Sequence, residues 1–208
     1  MPVIGFVSQK GGVGKSTLAR ALAREAAAGS LSVLIGDLDV QQRTALRWSE
    51  RRTAAGLEPA VPVRLFNAAA EALEVAAEVD LLILDGPARA SAETLEIAQA
   101  AALVVVPSNP GADDLEPTVM LMHELVGAGV PRERLAVALV RVATDAEEAA
   151  ARAYITEAGH DVLPGAILER AAYRQAQSGG ASLTEVRFAG LAGRADALVQ
   201  AIVDRAMA

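Results

Sequence analysis

The sequence predicts an α/β fold, a doubly wound, mainly parallel sheet flanked by helices, with one domain spanning residues 1–208. Three observations predict it. The apolar stretch Val3 to Val7 is followed by a glycine-rich loop, a helix-forming segment from Ser16 and a second apolar run, Leu31 to Gly36. That order is a βαβ unit, whose crossover is right-handed. Further continuous apolar runs at 81–84, 103–106 and 135–140 have the pattern of parallel strands buried on both faces. Acids close two of the runs, Asp37 and Asp85. In an open parallel sheet, ligands lie beyond the carboxyl ends of the strands.

Composition narrows the chemistry. The 208 residues are 52% hydrophobic but only 3% aromatic, so the core is aliphatic and helix-rich. There is no cysteine, which excludes disulfides, zinc–thiolate sites and cysteine-ligated iron–sulfur clusters. Met1-Pro2-Val3 leads straight into the first strand without a signal-like segment, and no apolar run reaches the ~18 residues of a membrane span. The expected location is the cytoplasm, with no integral membrane contact. A net charge of −7 argues against a surface that is basic throughout, though not against a local arginine patch.

The first element carries the chemistry. After the strand comes Ser8-Gln9-Lys10-Gly11-Gly12-Val13-Gly14-Lys15-Ser16-Thr17. A glycine-rich loop between a strand and a helix turns its backbone N–H groups around phosphate oxygens, and the helix N-terminus adds roughly half a positive charge. Lys15 is placed to reach the β- and γ-phosphates of a nucleotide, and the Ser16 hydroxyl to ligate Mg²⁺. The usual phosphate-loop pattern has glycine where this chain has Gln9.

With Lys10 near its start, the octet Lys10 to Thr17 resembles the deviant Walker A motif of the ParA/MinD ATPases, and the whole chain resembles short plasmid-type members without an N-terminal helix-turn-helix. The resemblance implies ATP and Mg²⁺ as ligands, with Gly11, Gly12, Val13, Gly14, Lys15, Ser16 and Thr17 around the phosphates. It also implies an ATP-bound homodimer in which Lys10 reaches the partner's nucleotide.

The second strand ends in Asp37-Leu38-Asp39-Val40-Gln41, similar to the family's Asp-x-Asp-Pro-Gln segment with Val40 in place of proline. By resemblance Asp39 positions the attacking water and lies near Mg²⁺, while Asp37 is the more structural of the pair. The segment from Arg43 to Ala55 reads as a helix with Leu46 inward and Trp48 partly buried. Val61 to Phe66 reads as a short strand, an edge by its flanking prolines, and Ala68 to Ala77 as a helix. Leu81 to Leu84 then ends at Asp85, the Walker B position, which would hold Mg²⁺ through water. Gly86 is expected to free a backbone N–H near the γ-phosphate.

Ala90 to Ala101 reads as a helix, Leu103 to Pro107 as a strand, and Leu115 to Val126 as a helix after the acidic start Asp113-Asp114. Met120 and Met122 are expected as core or interface filler. By resemblance Arg141, ending the strand from Leu135, lies near the adenine, and Pro164, after a short strand Asp161 to Leu163, lies on the base's other side. His123 and His160 read as isolated surface or helix-end residues. The last third carries Arg152, Arg170, Arg174, Arg187, Arg194 and Arg205. Arg170, Arg174 and Arg187 are the candidates for nonspecific double-stranded DNA. The alternative is a solvated face with ion pairs to Glu157, Glu169 and Glu185. The helix from Leu191 to Met207 has mixed charge and small alanines, which suits packing on the core better than a membrane surface.

The resemblance implies a nucleoid-associated positioning ATPase, released from DNA when a cargo-bound, ParB-like partner stimulates hydrolysis. The alternatives are a MinD-like, membrane-associated spatial regulator and a metabolic ligase built on the same phosphate loop.

Overall fold

The computed structural model describes residues 2–87 and 92–208. Along the chain run β1 (Val3–Phe6), α1 (Lys15–Ala28), β2 (Val33–Asp37), α2 (Thr44–Ala54), β3 (Val63–Leu65), α3 (Ala69–Glu74), β4 (Leu81–Asp85) and α4 (Ala92–Ala100). They are followed by β5 (Leu103–Ser108), α5 (Ala112–Gly127), β6 (Leu135–Val142), α6 (Asp145–Glu157), β7 (Val162–Leu168), α7 (Ala171–Ser178) and α8 (Ala189–Met207). The expected helix start at residues 90–91 lies outside the described residues.

The seven strands form one sheet in the order β3-β2-β4-β1-β5-β6-β7, and every pairing is parallel. The central strands are buried along their whole length, which is why they read as continuous apolar runs. Alternate residues feed two separate cores. Ile4, Phe6, Ile35 and Ile83 pack with Leu18 and Leu22 of α1, Trp48 of α2, Tyr173 of α7 and Leu198 of α8. Val3, Leu34, Leu82 and Leu84 pack with Ala69 of α3, Ile97 of α4, Met122 of α5 and Ile155 of α6. Helices therefore cover both faces, as a doubly wound sheet requires. The short β3 is the edge strand expected.

Register aligns the functional strand ends. Phe6 of β1 and Asp37 of β2 both pair with Asp85 of β4. The loop after β1 and the two acids therefore meet at one place, beyond the carboxyl ends of adjacent strands.

Several local expectations need correction. Arg43 is not helical: it holds φ 52°, left-handed, immediately before α2. Leu46 is only half-buried, and the inward residues of α2 are Ala45, Trp48 and Arg52, with Trp48 fully enclosed. Met122 is core filler as expected, while Met120 is exposed, which leaves only the interface half of its expectation open. His160 is buried against His123, with ring centroids 4.6 Å apart, so the two histidines are a pair. The strand expected to stop at Leu163 runs on to Leu168, which places Pro164 inside β7. The C-terminal helix packs on the core as expected, through Ala195, Leu198, Val199 and Ile202.

Candidate functional site

The phosphate loop is shaped from within. Val13 is buried and anchors it, Gly11 and Gly12 are exposed, and Gly12 and Gly14 take φ of 78° and 105°. Gly14 is the N-cap of α1, with no side-chain cap and no acid in the first turn. The first N–H groups of α1 and its positive end are thus offered to an anion. Lys15 is buried, its Nζ donating to Ser8 Oγ at 2.8 Å and to Lys10 O at 3.5 Å. Burial holds its pKa below the usual lysine range, opposed by the charges of Asp85 and Asp39.

These residues open onto a hollow of about 180 Å³. Gly12, Gly14, Lys15, Ser16 and Thr17 form one wall, and Asp39, Gln42 and Thr44, with Gly86 and Arg141, form the others. Asp85 lies beneath, 1% exposed. Burial pushes its pKa up to about 7, against the hydrogen bond from the Ser16 side chain. Among the described residues, its Oδ1 has no hydrogen-bond partner. A buried carboxylate oxygen with spare capacity beside the Ser16 hydroxyl is an oxygen pair that fits a hard cation such as Mg²⁺ completed by phosphate and water oxygens. Among the described residues, no group of three or more histidines and acids could hold a metal by itself.

The two acids at the end of β2 and just beyond it sit differently. Asp37 is fully buried, accepting from Asp39 N at 3.1 Å, Ala45 N at 3.0 Å and Leu46 N at 3.2 Å. It ties the strand end to the first turn of α2. Asp39 is half-buried on the hollow, its Oδ1 accepting from Gln42 N at 2.9 Å. Lys10 folds back within its own chain: its Nζ donates to Asp113 O and lies 3.4 Å from Asp114 at the start of α5.

Gly86 departs from expectation. Its N–H donates to Phe6 O at 3.0 Å and so is not free. The approach is close enough that a Cβ here would lie 2.7 Å from that same oxygen.

Arg141 lines the hollow, with φ 56°, exposed and 3.9 Å from Glu169. It also lines an adjoining hollow of about 340 Å³, together with Gly14, Thr17, Tyr173 and Leu183. Arg170 and Arg174 stand in the same hollow, and Arg174 pairs with Glu169. Arg170 is the N-cap of α7, not a residue within it. Arg187 is apart from them, over the Phe188 ring and against Ala172 and Gln175. Pro164 is not brought to the site: it borders a third hollow, with Ala197 and Ala201 of α8. Two further arginines of the last third are engaged elsewhere. Arg152 pairs with Glu148 and donates to Leu163 O and Gly165 O. Arg205 pairs with Asp161. Glu185 pairs with Arg24 and Arg52 rather than with those arginines.

Sequence reasoning missed Arg20, Thr44 and Gln177 around these hollows. One signal pointed to Arg20: it is the lone charge in the run Leu18 to Ala23, three residues beyond Thr17 on the same helix face.

Residues 4–183 match the family described as CbiA, the CobQ/CobB/MinD/ParA nucleotide binding domain. No curated protein sequence matches the chain significantly. Several solved structures share its fold. The cell division ATPase MinD of Pyrococcus furiosus is 17% identical, with TM-score 0.75, covering 98% of each chain. The Pyrococcus horikoshii septum site-determining protein MinD, complexed with Mg-ADP, is 18% identical, with TM-score 0.75, over 96% of this chain and 94% of that one. A ParA family ATPase from Chlorobium tepidum is 19% identical, with TM-score 0.68, over 100% of this chain and 98% of that one.

Proposed function

The chain belongs to the CobQ/CobB/MinD/ParA nucleotide-binding family, and from that premise we propose that it is an ATP-dependent positioning ATPase that cycles between an ATP-bound dimer and a released state. The observation that carries this reading is the buried Lys15 close to the Asp85 carboxylate, whose Oδ1 lacks a partner among the described residues, at the uncapped start of α1. The loop amides, Lys15 and Thr17 hold the triphosphate. Ser16, and Asp85 through water, would hold Mg²⁺ near Asp39, and when bound that ion neutralises charge on the β- and γ-oxygens. Asp39 orients a water in line with the γ-phosphorus and accepts a hydrogen bond from it. The water oxygen bonds to phosphorus as the bridging oxygen departs with ADP, and Lys15 stabilises the charge that develops. Arg141 flanks the nucleoside from the adjoining hollow.

Lys10 supplies the second half of the cycle. In the single chain it rests on Asp113 and Asp114. In the dimer it exchanges those contacts for the partner's phosphates. Arg170, Arg174 and Arg187 bind DNA phosphates without reading sequence, so binding weakens steeply with salt. A cargo-bound protein stimulates slow hydrolysis and releases the dimer. Of the chain's surfaces, α8 is the one a membrane-bound regulator would use, and its apolar side is occupied by the core.

The test is DNA binding with ATP, ADP or no nucleotide, at two salt concentrations. ATP-dependent, salt-sensitive and sequence-indifferent binding supports the reading. Binding that ignores nucleotide refutes the coupling.

A further inference from the structure

We propose that Arg20 is a positioning residue that holds the start of α2, and with it the Asp39 segment, in register with the phosphate loop. The inference rests on the ATPase reading and adds a part to it. Arg20 is 5% exposed and lies on α1, three residues beyond Thr17. Its Nη2 donates to the backbone oxygen of Thr44, the first residue of α2, at 2.6 Å. Its Nη1 donates to Gln177 Oε1 of α7 at 2.7 Å. Its guanidinium carbon lies 5.6 Å from the centre of the Trp48 ring, also on α2. One side chain thus joins the helix that starts at the phosphate loop to the helix that follows the Asp39 turn.

Two features show that this turn needs holding. Arg43, immediately before Thr44, sits at φ 52° without being glycine. Such a conformation is disfavoured for a residue with a Cβ and persists only where its surroundings impose it. The turn is also short: Asp37 fixes its near end through Asp39 N and, at the far end, Ala45 N and Leu46 N. The Thr44 carbonyl is the group that links the far end to α1. Packing alone does not account for an arginine here. No carboxylate pairs with it within ion-pair distance among the described residues, and its Nε has no partner. A methionine would fill the site at lower desolvation cost but could not reach two acceptors at once.

The test is hydrogen–deuterium exchange on the full chain together with MgATP turnover, for Arg20→Met, Arg20→Lys and Gln177→Ala. Arg20→Met should raise exchange about tenfold or more at amides 44–48, while the β5 and β6 amides remain protected. It should lower kcat about tenfold with KM changed less than about threefold. Arg20→Lys should restore part of both, because a lysine keeps one charged donor but not the fork. Unchanged exchange at 44–48 in a folded Arg20→Met protein overturns the proposal, as does a uniform rise across the whole chain. If Arg20→Met does not fold, Gln177→Ala decides, since it frees one arm of the fork. Raised exchange confined to 44–48 supports the proposal, and unchanged exchange overturns it. If the unaltered protein turns over no ATP, the ATPase reading fails while the exchange comparison still decides what Arg20 holds.

Discussion

Arg20 and Arg52 both place their guanidinium carbons 5.6 Å from the centre of the Trp48 ring, the first from α1 and the second from α2 itself. Arg52 is 1% exposed, and each of its nitrogens is satisfied. It grips both oxygens of Glu185, at 2.6 and 2.9 Å, and donates to the carbonyls of Glu58, Pro59 and Gly180. Arg20 has two acceptors, neither of them a carboxylate, and an Nε without a partner. Burial pushes its pKa down to about 10, so it remains cationic at neutral pH. The end of α2 that faces away from the phosphate loop is therefore closed by a completed ion pair. The end that faces the loop is held by a charge with spare bonding capacity. A buried network that is fully satisfied rigidifies its surroundings, whereas a buried polar atom left unsatisfied has capacity to spare for a water, an ion or a ligand. Asp85, with its unpartnered Oδ1, belongs with Arg20 in the second group.

The comparison breaks most visibly at Arg52. Arg52→Ala should cost about 3–5 kcal/mol in denaturant unfolding, since it removes the bidentate partner of Glu185, leaving only Arg24, and frees the carbonyls of Glu58, Pro59 and Gly180. ATP affinity of the protein that remains folded should change little, which a titration under native conditions checks. A smaller effect is expected at Gly180, where φ is 86° and a Cβ would lie 2.5 Å from Arg52 N. Gly180→Ala should destabilise by roughly 1–3 kcal/mol, read as a lower midpoint in the same unfolding curves. If it were neutral, the loop after α7 would not be clamped to α2 as closely as the geometry requires.

The pH dependence sharpens the contrast. Burial pushes the Glu185 carboxyl up, but its hydrogen bonds from Arg52 and Ser182 N–H and the nearby charges of Arg52 and Arg24 outweigh that, leaving it below the usual glutamate range. A carboxyl depressed in the folded state contributes stability above its unfolded pKa, and that contribution is lost as pH falls through the folded value. Wild-type stability should therefore drop on acidification below about pH 4.5, and Arg52→Met should flatten part of that limb. Arg20→Met has no such carboxylate to release and should leave the limb in place. The smallest effect is expected for Lys10→Ala. Its pair with Asp114 is at the surface, so the stability of the single chain should move by no more than about 0.5 kcal/mol. The cost should appear in ATP-dependent association instead.

The fold and the phosphate loop were legible because their signals are local. A buried parallel strand reads as an unbroken apolar run, and the octet from Lys10 to Thr17 is contiguous. Asp37, Asp39 and Asp85 could be placed because strand ends in such a sheet point to one edge. What escaped depends on distant partners. Arg20 is defined by Thr44 and Gln177, and Arg52 by Glu185, residues separated by up to 157 positions. Trp48 looked partly exposed because its enclosure comes from Ala181, which accepts from its Nε1, and from two arginines. Pro164 escaped because its expected place came by resemblance and took the strand to end at Leu163. Yet β7 is an edge strand and carries Pro164 through a register irregularity against β6. The engagement of the Gly86 N–H is not legible in the sequence because its acceptor, Phe6 O, is on a neighbouring strand.

The most direct measurement is the solution mass of the Asp39→Ala protein with MgATP, with MgADP and without nucleotide, beside the same series for Lys10→Ala/Asp39→Ala. Slowing hydrolysis should trap the ATP state, so Asp39→Ala with MgATP should run at about twice the 21.4 kDa chain mass. With ADP it should run as a single chain, and the double variant should stay single throughout. A protein that binds MgATP yet remains at the mass of one chain, or a dimer indifferent to Lys10, would contradict the account.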